Sequence, residues 1–140
     1  MRVRRGLRRV LLRSSEPRTV WSEVGVPPAL LETEGEHFLK TAILACKIAE
    51  DIGLDKGQVL NAWLNIFLND VKCDRKECLV ALIASHIATA YQAKRYASMG
   101  LSTSTVLKRE IKRVLQLAEG LEEADVVLKV MEDVLKEERD

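Results

Sequence analysis

The chain has 140 residues, enough for one domain with a real core, and 47% of them are apolar, which excludes a disordered chain. A formal net charge of +1 excludes a global electrostatic pull toward nucleic acid, and no run nears the roughly 18 consecutive apolar residues of a membrane span. Aromatics make up only 4%, so Leu, Val, Ile and Ala must fill the core, and with abundant Glu, Lys and Arg that composition favours helices.

Taken in chain order, residues 1–15 carry six Arg and no acid. Val3, Leu7, Val10 and Leu11 fall on one helical face there. This stretch reads as a basic arm, conditionally helical and similar in composition to a transit peptide. Pro17, Gly25, Pro27 and Pro28 break up residues 14–28, which read as an irregular linker. A short helix is expected to begin at Pro28. From Glu36 to Ile52 the pattern is helical, with Leu39, Ile43 and Cys46 at i, i+4, i+7 and Ala42, Ala45 and Ala49 permitting close packing. Gly53 supplies the stop and Asp55 the cap of a helix to Asn69. Asp74 and Glu77 form a D-x-x-E start signal for a long Ala-rich helix that ends at Gly100. Ser102 or Thr103 caps a helix to Glu119, and Gly120 breaks it. The last helix carries Leu121, Ala124, Leu128, Met131 and Leu135 as one apolar stripe. The expected fold is all-α, a compact bundle of about five main helices. The expected division is a basic arm and linker over 1–28 and a single helical domain over 29–140.

Charge is distributed in blocks after the arm. Five Glu face one Arg over 16–36. Lys94, Arg95, Lys108, Arg109, Lys112 and Arg113 face Glu110 alone over 79–118, and nine acids face three bases from Glu119 onward. Either the basic residues form a free patch, or the acidic last helix neutralises them inside the fold. The three cysteines, Cys46, Cys73 and Cys78, argue against a disulfide framework and suit a reducing cytoplasm. With two His besides, no metal site is expected, and no cofactor.

Residues 48–63, IAEDIGLDKGQVLNAW, place Ala49, Gly53 and Val59 in an A-x3-G-x5-V arrangement. Ile48, Ile52, Leu54 and Ala62 fill the apolar positions around them. This stretch resembles helix-turn-helix DNA-binding domains, and the resemblance covers about 20 residues. It implies that the second helix lies in the major groove. Residues 52–68 also align without gaps to residues 99–115, although Tyr96 then stands at the small position and Arg109 at an apolar one.

The first of these second helices presents neutral amides. Gln58, Asn61, Asn65 and Asn69 form a narrow stripe that holds every Asn of the chain. Amides of this kind pair with adenine edges, and equally line a polar seam between helices or subunits. The other unit has Lys108, Arg109, Lys112 and Arg113 at i, i+1, i+4, i+5, a basic face suited to phosphates. Catalysis is not expected: there is no phosphate loop, nucleophile elbow or ligand cluster, and Glu50–Asp51 and Glu122–Glu123 are adjacent and point apart. Two readings follow. The chain is a small helical protein that binds DNA or RNA through Lys94, Arg95, Lys108, Arg109, Lys112 and Arg113, with Gln58, Asn61 and Asn65 for bases. Alternatively it is a helical protein–protein interaction subunit, a homo-oligomer or part of a larger assembly. Both fit a cytoplasmic protein with no membrane partner. The rich Glu, Lys and Arg content, with three Asn and three Gln, suits a thermophile.

Overall fold

The computed structural model describes the backbone of residues 2–69 and 72–136, and side chains from Gly6 onward within that range. Among the described residues there are seven α-helices and no strand: α1 Arg2–Ser14, α2 Thr19–Glu23, α3 Glu34–Ile52, α4 Lys56–Asn69, α5 Lys76–Ser98, α6 Ser104–Ala118 and α7 Ala124–Leu135. The five main helices expected from periodicity are α3 to α7. Val3 of the arm and the last four acidic-tail residues lie outside the described side chains.

Helix α5 is the axis of the bundle, packing on α3, α4, α6 and α7. Its composition explains this. Ala81, Ala84, Ala88, Ala90 and Ala93 are all buried, so neighbouring helices approach closely on nearly every side. Val80, Ile83 and Ile87 of α5 join Ala45, Ile48 and Ala49 of α3, Val59 of α4, Val114 of α6 and Val127 of α7 in the main core. Each fully buried Ile or Val contributes roughly 1.5–3 kcal/mol over its exposed state.

Both corners that follow the glycine stops share one geometry. Gly53 and Gly100 have φ of 78° and 89°. Beyond them, Leu54 N donates to Ala49 O and Leu101 N donates to Tyr96 O, the same bond one repeat offset apart. Asp55 caps α4 as expected, accepting from Gln58 N at 3.0 Å. The other two cap signals act differently. Helix α5 starts after Arg75 without a side-chain cap, so Asp74 and Glu77 form no box. Thr103 precedes α6, but its hydroxyl turns inward and donates to Ala93 O at 2.6 Å. A buried hydroxyl must find its partner within the protein, and here the partner is a backbone carbonyl of α5. The true capping box is at α3, where Thr33 Oγ1 accepts from Glu36 N and Glu36 Oε1 accepts from Thr33 N, each at 3.1 Å.

The amino-terminal segment differs most from expectation. The stretch read as irregular linker contains α2, and its Trp21 is fully buried against Val26, Ala93, Tyr96 and Val106. Helix α1 is docked: Ser14 lies against Gly35, and Arg13 donates to Phe67 O at 2.9 Å while its guanidinium sits 4.9 Å from the Phe67 ring centre. Cys73 and Cys78, expected to be unpaired, form a disulfide. Their five-residue separation is short, and the chain entering α5 folds Cys73 back onto its first turn. Cys46 is half-buried rather than core, and Leu39 and Ile43 on the same helix point outward.

Candidate nucleic-acid interface

Helix α6 is amphipathic because its buried residues, Val106, Glu110, Val114 and Ala118, recur every four positions. That register turns Lys108, Arg109, Lys112 and Arg113 outward together, and all four are exposed. Among the described residues, only Arg109 has a carboxylate within ion-pair range, Glu110 Oε1 at 3.7 Å.

Two acids near α7, Glu123 just before it and Asp133 near its end, are engaged elsewhere. Glu123 accepts from Lys76 Nζ at 2.6 Å, and this hydrogen bond holds its carboxyl below the usual range. Asp133 takes Lys129 at 3.0 Å and Lys136 at 3.7 Å, and the Lys129 hydrogen bond lowers its carboxyl likewise. The acidic helix thus forms no described ion pair with the α6 row.

At one edge of the row lies a shallow depression of about 380 Å³, lined by His86, Arg109, Glu110, Lys112, Arg113 and Gln116. Its floor is a pair from two helices: His86 Nδ1 lies 2.6 Å from Glu110 Oε2. Sequence reasoning did not single out this pair. The one available signal was that Glu110 is the lone acid in a basic run. A carboxylate buried between apolar turns is costly without a partner, so a cationic or donor group had to face it.

The other expected site residues separate from this row. Lys94 is half-buried and donates to Leu135 O at the end of α7, a helix-terminal role. Arg95 is exposed and stays with its own helix, its guanidinium 5.9 Å from the Tyr91 ring centre. Gln58, Asn61 and Asn65 are exposed on α4, as is Asn69. Their helix packs on α3 and α5, whereas α6 packs on α5 and α7. The stripe's nearest expected cation, Lys56, is paired with Glu50 at 3.6 Å. Leu64 and Leu68 share its exposed surface, while Trp63 and Phe67 are covered.

A second polar cluster is buried and structural. Glu32, whose side chain is 1% exposed, accepts from Arg18 at 3.1 Å, Trp21 Nε1 at 3.0 Å and Lys40 Nζ at 2.7 Å. Lys40 also donates to Gln92 Oε1 at 2.5 Å, and Glu32 N donates to the Tyr96 hydroxyl at 2.9 Å. Nearby, His37 Nε2 lies 3.0 Å from Ser85 Oγ. Burial first, then the charges of Arg18, Lys40 and His86, push the His37 imidazole well below its ordinary value. No group of three or more His, Cys, Asp or Glu positioned for a metal occurs among the described residues.

Comparison with protein-family models, with curated proteins and with solved structures finds no match to this chain.

Proposed function

We propose that this chain is a non-catalytic helical protein that binds nucleic acid through the outward face of α6. The observation that carries the reading is the row Lys108, Arg109, Lys112 and Arg113, exposed together and, among the described residues, without an ion pair to α7. Cations clustered on one helical face can neutralise several phosphates at once and gain from counterion release. Ser102, Ser104 and Thr105, exposed at the start of the same helix, add donors for a phosphate oxygen.

The helix-turn-helix resemblance gives a narrower form of the proposal, in which α4 reads bases through Gln58, Asn61 and Asn65. Against it stands the pairing of Lys56, the cation beside the start of that stripe, with Glu50. We therefore assign affinity to α6 and treat sequence readout by α4 as a separate arm of the test. Fluorescence anisotropy with labelled mixed-sequence duplex DNA and single-stranded RNA tests both. Changing Lys108, Lys112 and Arg113 to Gln is expected to weaken binding at least about tenfold. Changing Gln58, Asn61 and Asn65 to Ala is expected to alter preference among sequences by about 1–3 kcal/mol per lost base contact, if α4 enters a groove. Wild-type protein that leaves both probes unbound at low salt refutes the proposal.

A further inference from the structure

The depression beside the α6 row has a rim and a floor of opposite character. Arg109, Lys112 and Arg113 line it as exposed cations. The floor joins α5 to α6 through His86 Nδ1 and Glu110 Oε2, 2.6 Å apart, with side chains 29% and 10% exposed. This contact uses one nitrogen of the imidazole and one oxygen of the carboxylate. His86 Nε2 is left over, and Glu110 Oε1 stands 3.7 Å from Arg109, beyond hydrogen-bond range. A neutral imidazole that gives its one N–H to a carboxylate keeps the other nitrogen as an acceptor. The floor therefore offers acceptors in the middle of a ring of donors.

A phosphate suits the rim and not the floor. It brings no proton for an acceptor, and its charge is repelled by the nearby carboxylate. The floor calls for a hydroxyl or N–H held close beside an anion. In RNA each bridging phosphate has a ribose 2′-hydroxyl next to it, and DNA has none.

We propose that this depression reads the ribose 2′-hydroxyl, so that the α6 face selects RNA over DNA. The inference rests on the nucleic-acid reading of α6 and names its substrate. Arg109, Lys112 and Arg113 hold phosphates of one strand, and His86 Nε2 accepts the hydroxyl between them. Glu110 is a positioning residue: it accepts the Nδ1–H and so fixes the tautomer whose Nε2 can accept.

Fluorescence anisotropy of the full chain with three labelled single strands of one base sequence, written with uracil throughout, tests it. The strands are RNA, its 2′-deoxy counterpart and 2′-O-methyl RNA, titrated at low salt and about pH 8. Bases and phosphates are the same in all three, and the methyl ether removes the donor while retaining a ribose oxygen. Wild type is expected to bind RNA about three- to tenfold more tightly than either other strand, the effect of one net hydrogen bond. His86→Phe keeps a ring without an acceptor. Its RNA affinity is expected to fall to that of the deoxy strand, with deoxy affinity and helical circular dichroism unchanged. His86→Gln keeps an N–H for Glu110 and an oxygen acceptor, and is expected to retain a preference for RNA. Equal affinity of wild type for the three strands overturns this inference and leaves the α6 reading standing. No binding of any strand overturns both. An RNA preference that persists at full size in a folded His86→Phe chain overturns the inference as well, because another group then reads the hydroxyl. The comparison among strands uses the unaltered chain, so it decides even if His86→Phe does not fold.

Discussion

The carboxylate of Glu32 ties four parts of the chain together. It is buried, yet it accepts from Arg18, Trp21 and Lys40, so its charge is compensated on both oxygens. Glu32→Ala leaves Arg18 and Lys40 facing an apolar gap. We expect a loss of about 3–5 kcal/mol, the usual effect of breaking a buried pair on one side, measured by urea unfolding. Nothing in the local sequence marked this residue. Its partners come from residues 18, 21 and 40, with Gln92 and Tyr96 behind them, and only the packed fold brings them together.

His37 adds a pH dependence with a definite sign. Its folded-state pKa lies below the ordinary value of 6.5, so below that pH the unfolded chain binds the extra proton and the folded chain resists it. Stability therefore falls as pH drops from about 6.5, with a limiting slope of roughly 1.4 kcal/mol per pH unit. His37→Gln, which keeps a polar partner for Ser85, should flatten thermal midpoints between about pH 6.5 and pH 5. The loss that remains at lower pH then belongs to carboxylates such as Glu123 and Asp133, whose depressed values make their contribution disappear only below the ordinary carboxylate range.

Local chemistry dictated the helices more fully than the contacts between them. Periodicity and glycine stops placed α3 to α7, because each signal acts within a few residues. Gly53 and Gly100 are needed for conformation alone: a Cβ at either would meet nothing within 4 Å. Gly53→Ala and Gly100→Ala should each cost about 1–2 kcal/mol through the left-handed backbone, with no change in packing seen by near-ultraviolet circular dichroism. Gly35 is the opposite case, since a Cβ there would lie 2.9 Å from Ser14 O. Gly35→Ala should displace α1 and speed tryptic cleavage after Arg8, Arg9 and Arg13. Unchanged cleavage would show that α1 is not held by this contact.

Spacing was a weaker guide to which face is buried. Leu39, Ile43 and Cys46 and the row Ala42, Ala45 and Ala49 lie on different sides of α3, and only the alanine side allows α4 and α5 their close approach. Burial follows the face that lets neighbouring backbones come nearest, which a single helix cannot reveal. The same limit hid α2 and Trp21. Short helices between prolines carry little periodicity, and a buried Trp is visible only once its pocket exists.

At the scale of the whole molecule, the uneven charge matters more than the net charge of +1. Glu123, just before α7, pairs with Lys76, Asp133 pairs with Lys129, and no described ion pair joins α7 to the exposed α6 row. The basic run was plain in the sequence. Its freedom from α7 was not, because that depended on where α7 packs. The amide stripe was equally plain, but its distance from the basic row depends on α5 standing between α4 and α6. The most direct test of nucleic-acid binding is therefore the salt dependence of DNA affinity, compared between wild type and a variant with Lys108, Arg109, Lys112 and Arg113 all changed to Gln. If these four residues contact phosphates, the slope of log K against log salt should shrink by about 3–4, close to 0.9 per lost contact. Equal slopes for the two proteins would contradict the assignment of binding to α6.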